Sequence, residues 1–236
     1  MGTLSIVSTP IGNLDDITIR AIKTLFSADF VACEDTRRTG FLLQELRKRF
    51  PSVLPITPKS PQLIRLDDHA ELSQIPVLID KLQQNLSVAL VSDAGTPLIS
   101  DPGYRLVSEA LKRGIAVVSI PGPSAAVAAL SISGLSANQF LFLGYPPEKI
   151  SHRTKLFKNL LDMNRFLLST YILYCAPHKL QQTLDDMRQV LGDTEIVIVR
   201  ELTKIHEEVW RGTLSEALKH FSNPQGEFVL LFHLAK

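Results

Sequence analysis

The stretch LSIVSTPIGN, residues 4–13, decides the fold class of this 236-residue chain. Residues 4–8 read as a short buried strand, and the five residues that follow, TPIGN, cannot continue it. Proline removes a backbone hydrogen-bond donor and fixes φ, while glycine and asparagine tolerate positive φ. An apolar strand that ends so abruptly before a helix is typical of an α/β protein, and such proteins bind ligands where their strands end.

Composition restricts the class of protein further. Hydrophobic residues make up 45% and charged residues 21%, as in soluble globular proteins, and the net charge of +1 argues neither for nor against nucleic acid. The two cysteines, Cys33 and Cys175, form no CxxC pattern, so we expect neither structural zinc nor a disulfide, and a reducing compartment is favoured. With no apolar run near 18 residues and a strand at the N-terminus, we expect a cytoplasmic chain without signal peptide or membrane partner.

Strands and helices alternate through the first half of the sequence. Apolar patterns predict strands at residues 4–8, 30–33, 87–92 and 115–120, and helices at 17–28, 36–50, 75–85, 101–112 and 124–133. A proline-rich segment, residues 50–62, is predicted not to hold regular structure for long. The alternation favours a mainly parallel sheet with helices on both faces.

The second half contains more strands than helices. Strands are predicted at residues 140–143, 171–175, 195–201, 207–212 and 227–234, and helices at 151–161, 177–191 and 215–221. This ratio favours a mixed sheet with some antiparallel pairing. The sequence therefore predicts two α/β domains, residues 1–134 and 135–236.

Three loops rich in glycine and proline follow strands of the first half. They are STPIGN at 8–13, VSDAGTPLISDPGY at 91–104 and IPGPSAA at 120–126. Because the carboxyl ends of parallel strands lie along one edge, these loops would meet over one crevice, although a single such loop is more often an ordinary turn. None contains a P-loop or G-x-G-x-x-G fingerprint, and proline removes amide donors that a pyrophosphate needs. A ligand without phosphates is therefore favoured.

Longer stretches resemble a known family. Residues 8–43, 90–107 and 121–135 resemble the tetrapyrrole methylase superfamily, also called class III S-adenosylmethionine-dependent methyltransferases. Downstream, VRELTKIHEEVWRGTL at 199–214 and GEFVLLF at 226–232 are similar to the branch that 2′-O-methylates a cytidine of 16S small-subunit ribosomal RNA. The resemblance covers nearly the whole chain, so it implies this ribose methyltransferase activity here.

The resemblance also implies a cofactor and partners. S-adenosylmethionine, a zwitterion without phosphate, would be held folded in a cleft between the two domains, largely by loop backbone. Carried over by motif, the cofactor-binding positions are Pro10, Asp93, Ala94, Gly95, Thr96, Pro97, Ser124 and Ala125, with Tyr174, Cys175 and Leu202 added from the second domain. The implied partner is small-subunit ribosomal RNA or the assembled small subunit, and the implied assembly is a homodimer without metal.

The motif CEDTRRTG supports two interpretations. Asp35 or Thr36 would cap the following helix, since acidic and hydroxyl side chains suit a helix N-terminus. Arg37 and Arg38 would contact RNA phosphates, which dominate nucleic-acid affinity, and the two roles are compatible. Asp93 likewise is either an Asx-turn or cap residue or a polar contact near the ligand.

Basic residues also cluster at 47–49 and 149–158. Solvated helix faces explain both clusters as well as RNA contact does. Because shape contributes to the recognition of folded RNA, a nearly neutral protein is compatible with a ribosomal substrate.

The sequence does not assign a catalytic base. Methyl transfer chiefly requires alignment of the reacting atoms, although a base helps because a ribose hydroxyl is a weak nucleophile. The candidates are Glu34, Asp35, Glu201 and Lys204. Mutual ion pairing is the simple alternative for Glu201 and Lys204, and the sequence does not rank the four.

Three departures from the family pattern leave other functions open, and one of them is that this sequence lacks the C-terminal extension that many members carry after the last predicted strand. YCAPHK at 174–179 stands where the family has a glutamate-bearing Tyr-Glu-Ser/Ala-Pro-His-Arg, and lysine cannot reproduce the bidentate fork of arginine. The residues around His69 and Glu71 resemble a histidine-rich family segment only loosely. The alternatives are a class III methyltransferase with a small-molecule or tetrapyrrole substrate, or a non-catalytic relative that binds S-adenosylmethionine. The first loop, which lacks the glycine-rich form, and the EDTRRT motif argue against a porphyrin substrate.

Overall fold

The computed structural model describes residues 1–234 of the chain. The chain divides into two compact units, Met1–Ser124 and Ala125–Lys236, and each unit is built on one five-stranded sheet. The predicted domain boundary after residue 134 stays a prediction; the helix that precedes it packs against the sheet of the second unit. No helix within residues 1–234 is both long and apolar enough to cross a membrane.

The sheet of the first unit is parallel throughout. Its strand order is β3-β2-β4-β1-β5, with β1 at Thr3–Val7, β2 at Phe30–Cys33, β3 at Gln62–Arg65, β4 at Val88–Leu90 and β5 at Ala116–Ile120. Every neighbouring pair runs in the same direction. The predicted parallel sheet is therefore confirmed, and the segments that follow β1, β4 and β5 leave it at the same edge.

Helices cover both faces of this sheet. They are α1 at Ile19–Leu25, α2 at Thr36–Arg49, α3 at Glu71–Gln83 and α4 at Tyr104–Lys112. Alternate residues of each strand face opposite sides. In β2, Val31 packs in the buried cluster that includes α1 and α2, while its neighbour Ala32 packs in the cluster that includes α3 and α4. The first pair of helices therefore lies on one face and the second pair on the other.

Strand β3 was missed because it immediately follows the proline-rich segment. Its four residues lie at the edge of the sheet, and the parallel register pairs Phe30 with Gln62 and Cys33 with Arg65. An edge strand needs burial on fewer sides, so it carries a weak apolar pattern. Residues 63 and 64 are only partly buried, which agrees with that weak signal.

The predicted helix starts differ most from the observed ones at α3 and α4. Helix α3 starts at Glu71 instead of residue 75, because Asp67 satisfies its first donors. The Asp67 carboxylate accepts from Ala70 N–H at 2.8 Å, and the Asp67 carbonyl accepts from Glu71 N–H at 2.8 Å. Helix α4 starts at Tyr104 instead of residue 101, because Gly103 before it has φ of +119° and cannot be helical.

The sheet of the second unit is mixed, as predicted. Its order is β6-β7-β10-β8-β9, with β6 at Phe140–Phe142, β7 at Thr170–Cys175, β8 at Glu195–Arg200, β9 at Glu208–Thr213 and β10 at Phe228–His233. Strands β6 and β7 are parallel, and the other three pairs are antiparallel.

The helices of the second unit are also divided between the two faces of their sheet. They are α5 at Ala125–Ser133, α6 at Ile150–Asn164, α7 at Pro177–Leu191 and α8 at Leu214–His220. The last three share one buried cluster, and α5 packs on the opposite face. A buried ion pair joins α6 to α7, since Arg153 Nε donates to Asp186 Oδ2 at 2.6 Å. Arg153 Nη1 also donates to two carbonyls, so its buried charge is compensated.

We expect Gly103→Ala to destabilise the protein by roughly 2–4 kcal/mol, from backbone strain at positive φ together with overpacking. The added Cβ would lie 2.7 Å from Cδ2 of the buried Leu90. The matched control is Gly114→Ala, which has φ of +68° but no atom within 4 Å of the added Cβ, so it adds strain alone. Urea unfolding measures both free energies, and equal losses would contradict a steric role for Leu90.

Candidate functional site

Three loops of the first unit leave the same edge of the parallel sheet. The first loop (residues 8–13) follows β1, the second loop (residues 91–103) follows β4 and the third loop (residues 121–124) follows β5. Since β1 lies between β4 and β5 in the sheet, the first loop is the central one.

The first and second loops are joined by a backbone bridge. Thr9 N–H donates to the Gly95 carbonyl at 2.8 Å, and Gly95 N–H donates to the Thr9 carbonyl at 3.1 Å. The buried Thr9 hydroxyl adds a bond to the Ser92 carbonyl at 3.2 Å. These bonds fix the start of the second loop against the first.

The third loop is attached through Thr96. The Thr96 hydroxyl donates to the Pro123 carbonyl at 3.0 Å and lies 3.0 Å from the Ser8 hydroxyl. Gly122 makes this approach possible, because a Cβ there would lie 2.8 Å from Ser8 Cβ. The prediction that the three loops meet at one edge is therefore confirmed.

The second loop has an unusual backbone. Positive φ values occur at Gly95 (84°), Leu98 (73°), Ser100 (68°) and Gly103 (119°). Positive φ is uncommon outside glycine, and such strained residues cluster at functional sites. Residues 95–103 therefore combine positive-φ backbone with a glycine- and proline-rich composition, which makes them a candidate functional loop.

Three carboxylates lie at this edge of the sheet. Glu34 follows β2, and Asp93 and Asp101 belong to the second loop. Glu34 Oε1 accepts a long hydrogen bond from Asp93 N–H at 3.4 Å. Burial, together with the charge of Asp101, raises the pKa of Glu34 to about 7. Burial raises the pKa of Asp101 to about 6, with the charge of Asp93 adding to the effect. Two carboxyl groups at this edge therefore exchange protons near neutral pH, which is typical of functional sites.

Asp93 has one satisfied and one unsatisfied oxygen. Its Oδ2 accepts from Arg38 Nη1 at 2.9 Å, so the two side chains form an ion pair. Its Oδ1 is buried and accepts no hydrogen bond from the part of the chain that the structure describes. A buried acceptor without a donor is costly, and a ligand donor would satisfy it.

Asp35 caps helix α2, one of the two roles weighed for the CEDTRRTG motif. Its Oδ1 accepts from Arg37 N–H at 2.8 Å, and this bond lowers the pKa of Asp35. The Arg37 side chain is 92% exposed and lies 3.4 Å from the Asp35 carboxylate. The two neighbouring arginines thus differ, because Arg38 is held by a partner from another loop and Arg37 projects into solvent.

The candidate bases of the second unit are paired with each other. Lys204 Nζ donates to Glu201 Oε1 at 2.9 Å and to Glu227 Oε2 at 2.9 Å. Burial opposes the charged forms, but these bonds outweigh it, so the pKa of Lys204 is raised and that of Glu201 is lowered. The mutual ion pairing considered from the sequence is present.

The other predicted positions of the second unit lie on strand β7, at the start of helix α5 and in the turn after β8. The Tyr174 hydroxyl accepts from Ala126 N–H at 3.2 Å, in the turn after Ala125 at the start of α5. Burial raises the pKa of the Cys175 thiol to about 11, so the thiol is neutral. Leu202 packs against the apolar cluster that contains α5.

Some residues of this edge were absent from the predicted set. Ser8, Thr9 and Gly122 hold the loops together, and Asp101 contributes a carboxyl group. Ser8 and Thr9 directly precede the predicted Pro10 within STPIGN, and Asp101 lies in the second aspartate-containing cluster of its loop. The sequence therefore located the loops, but it did not identify the side chains that link them. Within residues 1–234, no group of three or more His, Cys, Asp or Glu side chains could hold a metal ion.

Comparison with known proteins identifies the family. The family model for tetrapyrrole (corrin/porphyrin) methylases matches residues 3–218. The chain therefore belongs to the tetrapyrrole methylase family and is a methyltransferase, as the sequence motifs predicted. Membership of this class implies S-adenosylmethionine as the methyl donor.

Two curated relatives carry the same name, ribosomal RNA small subunit methyltransferase I. The protein of Thermotoga maritima is 42% identical over 233 residues, which are 98% of this chain and 98% of the relative. The protein of Halalkalibacterium halodurans is 46% identical over 233 residues, covering 98% of this chain and 75% of the relative.

Solved structures with the same fold are more distant in sequence. Diphthine synthase has a TM-score of 0.73 at 18% identity, covering 99% of this chain and 90% of that chain. Cobalt precorrin-4 methyltransferase has a TM-score of 0.66 at 16% identity, covering 98% of this chain and 94% of that chain. These likenesses confirm the predicted two-domain α/β fold.

The raised pKa of Glu34 predicts a stability difference that depends on pH. The folded protein holds this proton more tightly than the unfolded chain, so stability is lost as pH rises from 4.5 to about 7. Glu34→Gln removes that loss. We expect the variant to match the wild type at pH 4 and to exceed it by roughly 1 kcal/mol at pH 8, after allowance for solvent screening.

Chemical unfolding at both pH values measures this difference. The control is Glu195→Gln, which changes an exposed glutamate of β8 and should follow the wild type at both pH values. The same change in free energy at pH 4 and pH 8 for Glu34→Gln would show that the carboxyl group does not titrate differently on folding.

Proposed function

We propose that this protein uses S-adenosylmethionine to methylate the ribose 2′-hydroxyl of a cytidine in 16S small-subunit ribosomal RNA. The proposal rests on the sequence identity of 42% and 46% to two ribosomal RNA small subunit methyltransferases I, each aligned over 98% of this chain. The linked loops and the titrating carboxyl groups of the first unit support it, because they supply a binding edge and a proton acceptor together.

The loops of the first unit fit the chemistry of the cofactor. S-adenosylmethionine supplies the electrophilic methyl group when bound, and it carries hydroxyl and ammonium donors but no phosphate. The orphaned, buried Asp93 Oδ1 is an acceptor suited to such a donor. Gly95 has φ of +84°, and a Cβ there would lie 3.3 Å from Ile11 Cγ2, so the close approach of its backbone requires glycine.

The proposed contact residues follow the sequence prediction. In the first unit they are Pro10, Asp93, Ala94, Gly95, Thr96, Pro97 and Ser124. The contributions of Ala125, Tyr174, Cys175 and Leu202 stay predictions from the family resemblance.

Glu34 is the candidate base best suited to a ribose hydroxyl. It is partly buried and makes no ion pair with a cationic side chain of residues 1–234, and its pKa of about 7 is close to the operating pH. Asp35 is engaged as a helix cap, and Glu201 and Lys204 neutralise each other. In this proposal Glu34 accepts the proton of the 2′-hydroxyl as the oxygen attacks.

Arg37 and Arg38 are proposed to contact RNA phosphates at the start of α2. The Arg37 side chain is 92% exposed, although its guanidinium lies 3.4 Å from the Asp35 carboxylate. Arg38 neutralises Asp93 with one nitrogen, and its side chain remains exposed enough to offer its other donors to a phosphate. Arg38 would therefore position Asp93 as well as bind RNA.

A homodimer and a cytoplasmic location are part of the same proposal. Helix α5 is built almost entirely of small and apolar residues, yet Val127 and Ile132 are exposed on it. An apolar helix is normally covered on all sides, and a second copy of the chain would cover this one. Light scattering of the purified protein measures the mass, and a monomer at micromolar concentration would contradict the proposed dimer.

The function is tested by transfer of labelled methyl groups to small ribosomal subunits that lack the 2′-O-methyl mark. We expect label on one cytidine ribose of 16S RNA, located by nucleotide mapping. Label on a base or on a small molecule would redirect the proposal to another substrate. Cofactor binding without any transfer would favour the non-catalytic alternative.

Gly95→Ala should weaken S-adenosylmethionine binding about tenfold, since the strain and the Ile11 contact displace the loop backbone. The control is Gly192→Ala, which also has positive φ, +78°, but lies at the end of α7 with no atom within 4 Å of the added Cβ. Isothermal calorimetry measures both affinities. Equal affinities would refute the placement of the cofactor at the second loop.

Glu34→Gln should lower kcat by roughly 100-fold or more, as expected for loss of a general base. For the wild type, kcat should rise with pH through about 7, because Glu34 must be ionised to accept a proton. The variant should lose this inflection and keep its affinity for S-adenosylmethionine. A variant whose kcat still rises through the same pH would assign the base to another group.

A further inference from the structure

The outer face of helix α2 has a regular pattern of exposed residues. Its inner face packs Thr39 and Leu46 into the first unit. On the opposite face, exposed side chains follow at intervals of four, three and four residues: Arg37, Phe41, Gln44 and Lys48. This spacing places them in one row, here called the α2 stripe, about 16 Å long at 1.5 Å per residue.

Phe41 is the unusual member of the α2 stripe. Its side chain is 66% exposed, and its ring packs on no other aromatic ring of residues 1–234. An exposed aromatic ring between polar and cationic side chains offers a flat surface for stacking. Stacking on aromatic rings is how proteins bind the unpaired bases of single-stranded RNA.

The cations of α2 differ in whether they already interact with another group of the protein. Arg47 stands 5.2 Å over the Phe26 ring and donates to the Lys59 carbonyl at 3.3 Å. Arg49 pairs with Glu45 at 3.6 Å, on the same helix. These cations are used within the protein, so they are poor candidates for a partner.

The two cations of the α2 stripe lie at its ends. Lys48 is exposed and makes no ion pair with the part of the chain that the structure describes, and the ion pair of Arg37 there is with Asp35 at 3.4 Å. A cation, an aromatic ring, an amide and a second cation thus follow one another along the helix. This order matches an anionic backbone that carries flat bases, and the two cations disfavour a basic partner.

We propose that the α2 stripe binds a single-stranded segment of the ribosomal RNA substrate. Phe41 stacks on a base, Gln44 hydrogen-bonds a base edge or ribose, and Arg37 and Lys48 contact phosphates. Helix α2 starts at the sheet edge where the three loops lie, because it directly follows β2. RNA that reaches the loops therefore continues along the stripe. This inference rests on the proposed function and names further contacts for it.

The test compares Phe41→Ala and Lys48→Ala with matched controls on α4. Leu111→Ala removes another exposed apolar side chain, 59% exposed, and Lys112→Ala removes another exposed cation, both on the opposite face of the sheet. The probe is unmethylated 16S RNA, free and in small subunits. Binding is measured at several salt concentrations, and methyl transfer is measured on the subunits.

We expect Phe41→Ala to raise Kd and KM for RNA about tenfold, with kcat and S-adenosylmethionine affinity within about twofold of the wild type. Lys48→Ala should weaken binding and reduce the slope of log K against log salt by about one. The α4 variants should behave as the wild type.

Three outcomes would overturn the proposal. One is wild-type RNA affinity in both α2 variants, and another is the same loss in the α4 controls. The third is weaker binding to assembled subunits with unchanged binding to free 16S RNA, which would assign the stripe to a ribosomal protein. Absence of methyl transfer by the wild type would refute the proposed function alone, since the binding measurements still decide the stripe.

Discussion

The two-way backbone bridge between Thr9 and Gly95 is the interaction on which the rest of the candidate site depends. It joins loops that belong to no regular element and that contain prolines without amide donors, so few bonds remain to order them. Once the bridge has formed, Thr96 lies between Ser8 and the Pro123 carbonyl, and the third loop is attached. The parallel sheet supplies the edge, and this bridge together with the Thr96 contacts turns three neighbouring loops into one connected surface.

The carboxyl groups and the exposed cations of the first unit lie on different surfaces. The sheet edge collects carboxyl groups, of which Glu34 and Asp101 have raised pKa values, whereas the outer face of α2 carries the exposed cations Arg37 and Lys48. Fully ionised carboxylates would repel an anionic substrate, but groups with pKa values of about 7 and 6 are partly neutral and reduce that repulsion. Nearby phosphates would raise these pKa values further. A base with a raised pKa therefore suits an RNA substrate on physical grounds.

Local signals predicted much of the fold, whereas contacts between distant residues were not predictable. Helix α7 was predicted at its observed bounds, because Pro177 suits its first turn and Gly192 takes positive φ at its end. Strand β3 carries only a short, half-exposed pattern and was missed. The glycine and proline loops were found because their composition is local. The ranking of the candidate bases could not be predicted, because it depends on contacts between residues far apart in the sequence. Glu34, for example, accepts a hydrogen bond from Asp93 N–H, 59 residues away.

Gly122 has a consequence for how the sequence can vary. The residue is exposed to solvent, and exposed positions normally accept almost any side chain. Here a single added carbon would lie 2.8 Å from Ser8 Cβ, and Ser8 is itself buried in the connected loops. Mutational tolerance at this surface position is therefore as narrow as in a packed interior. Replacement of Gly122 is therefore expected to disturb the joined loops, although the residue lies at the surface.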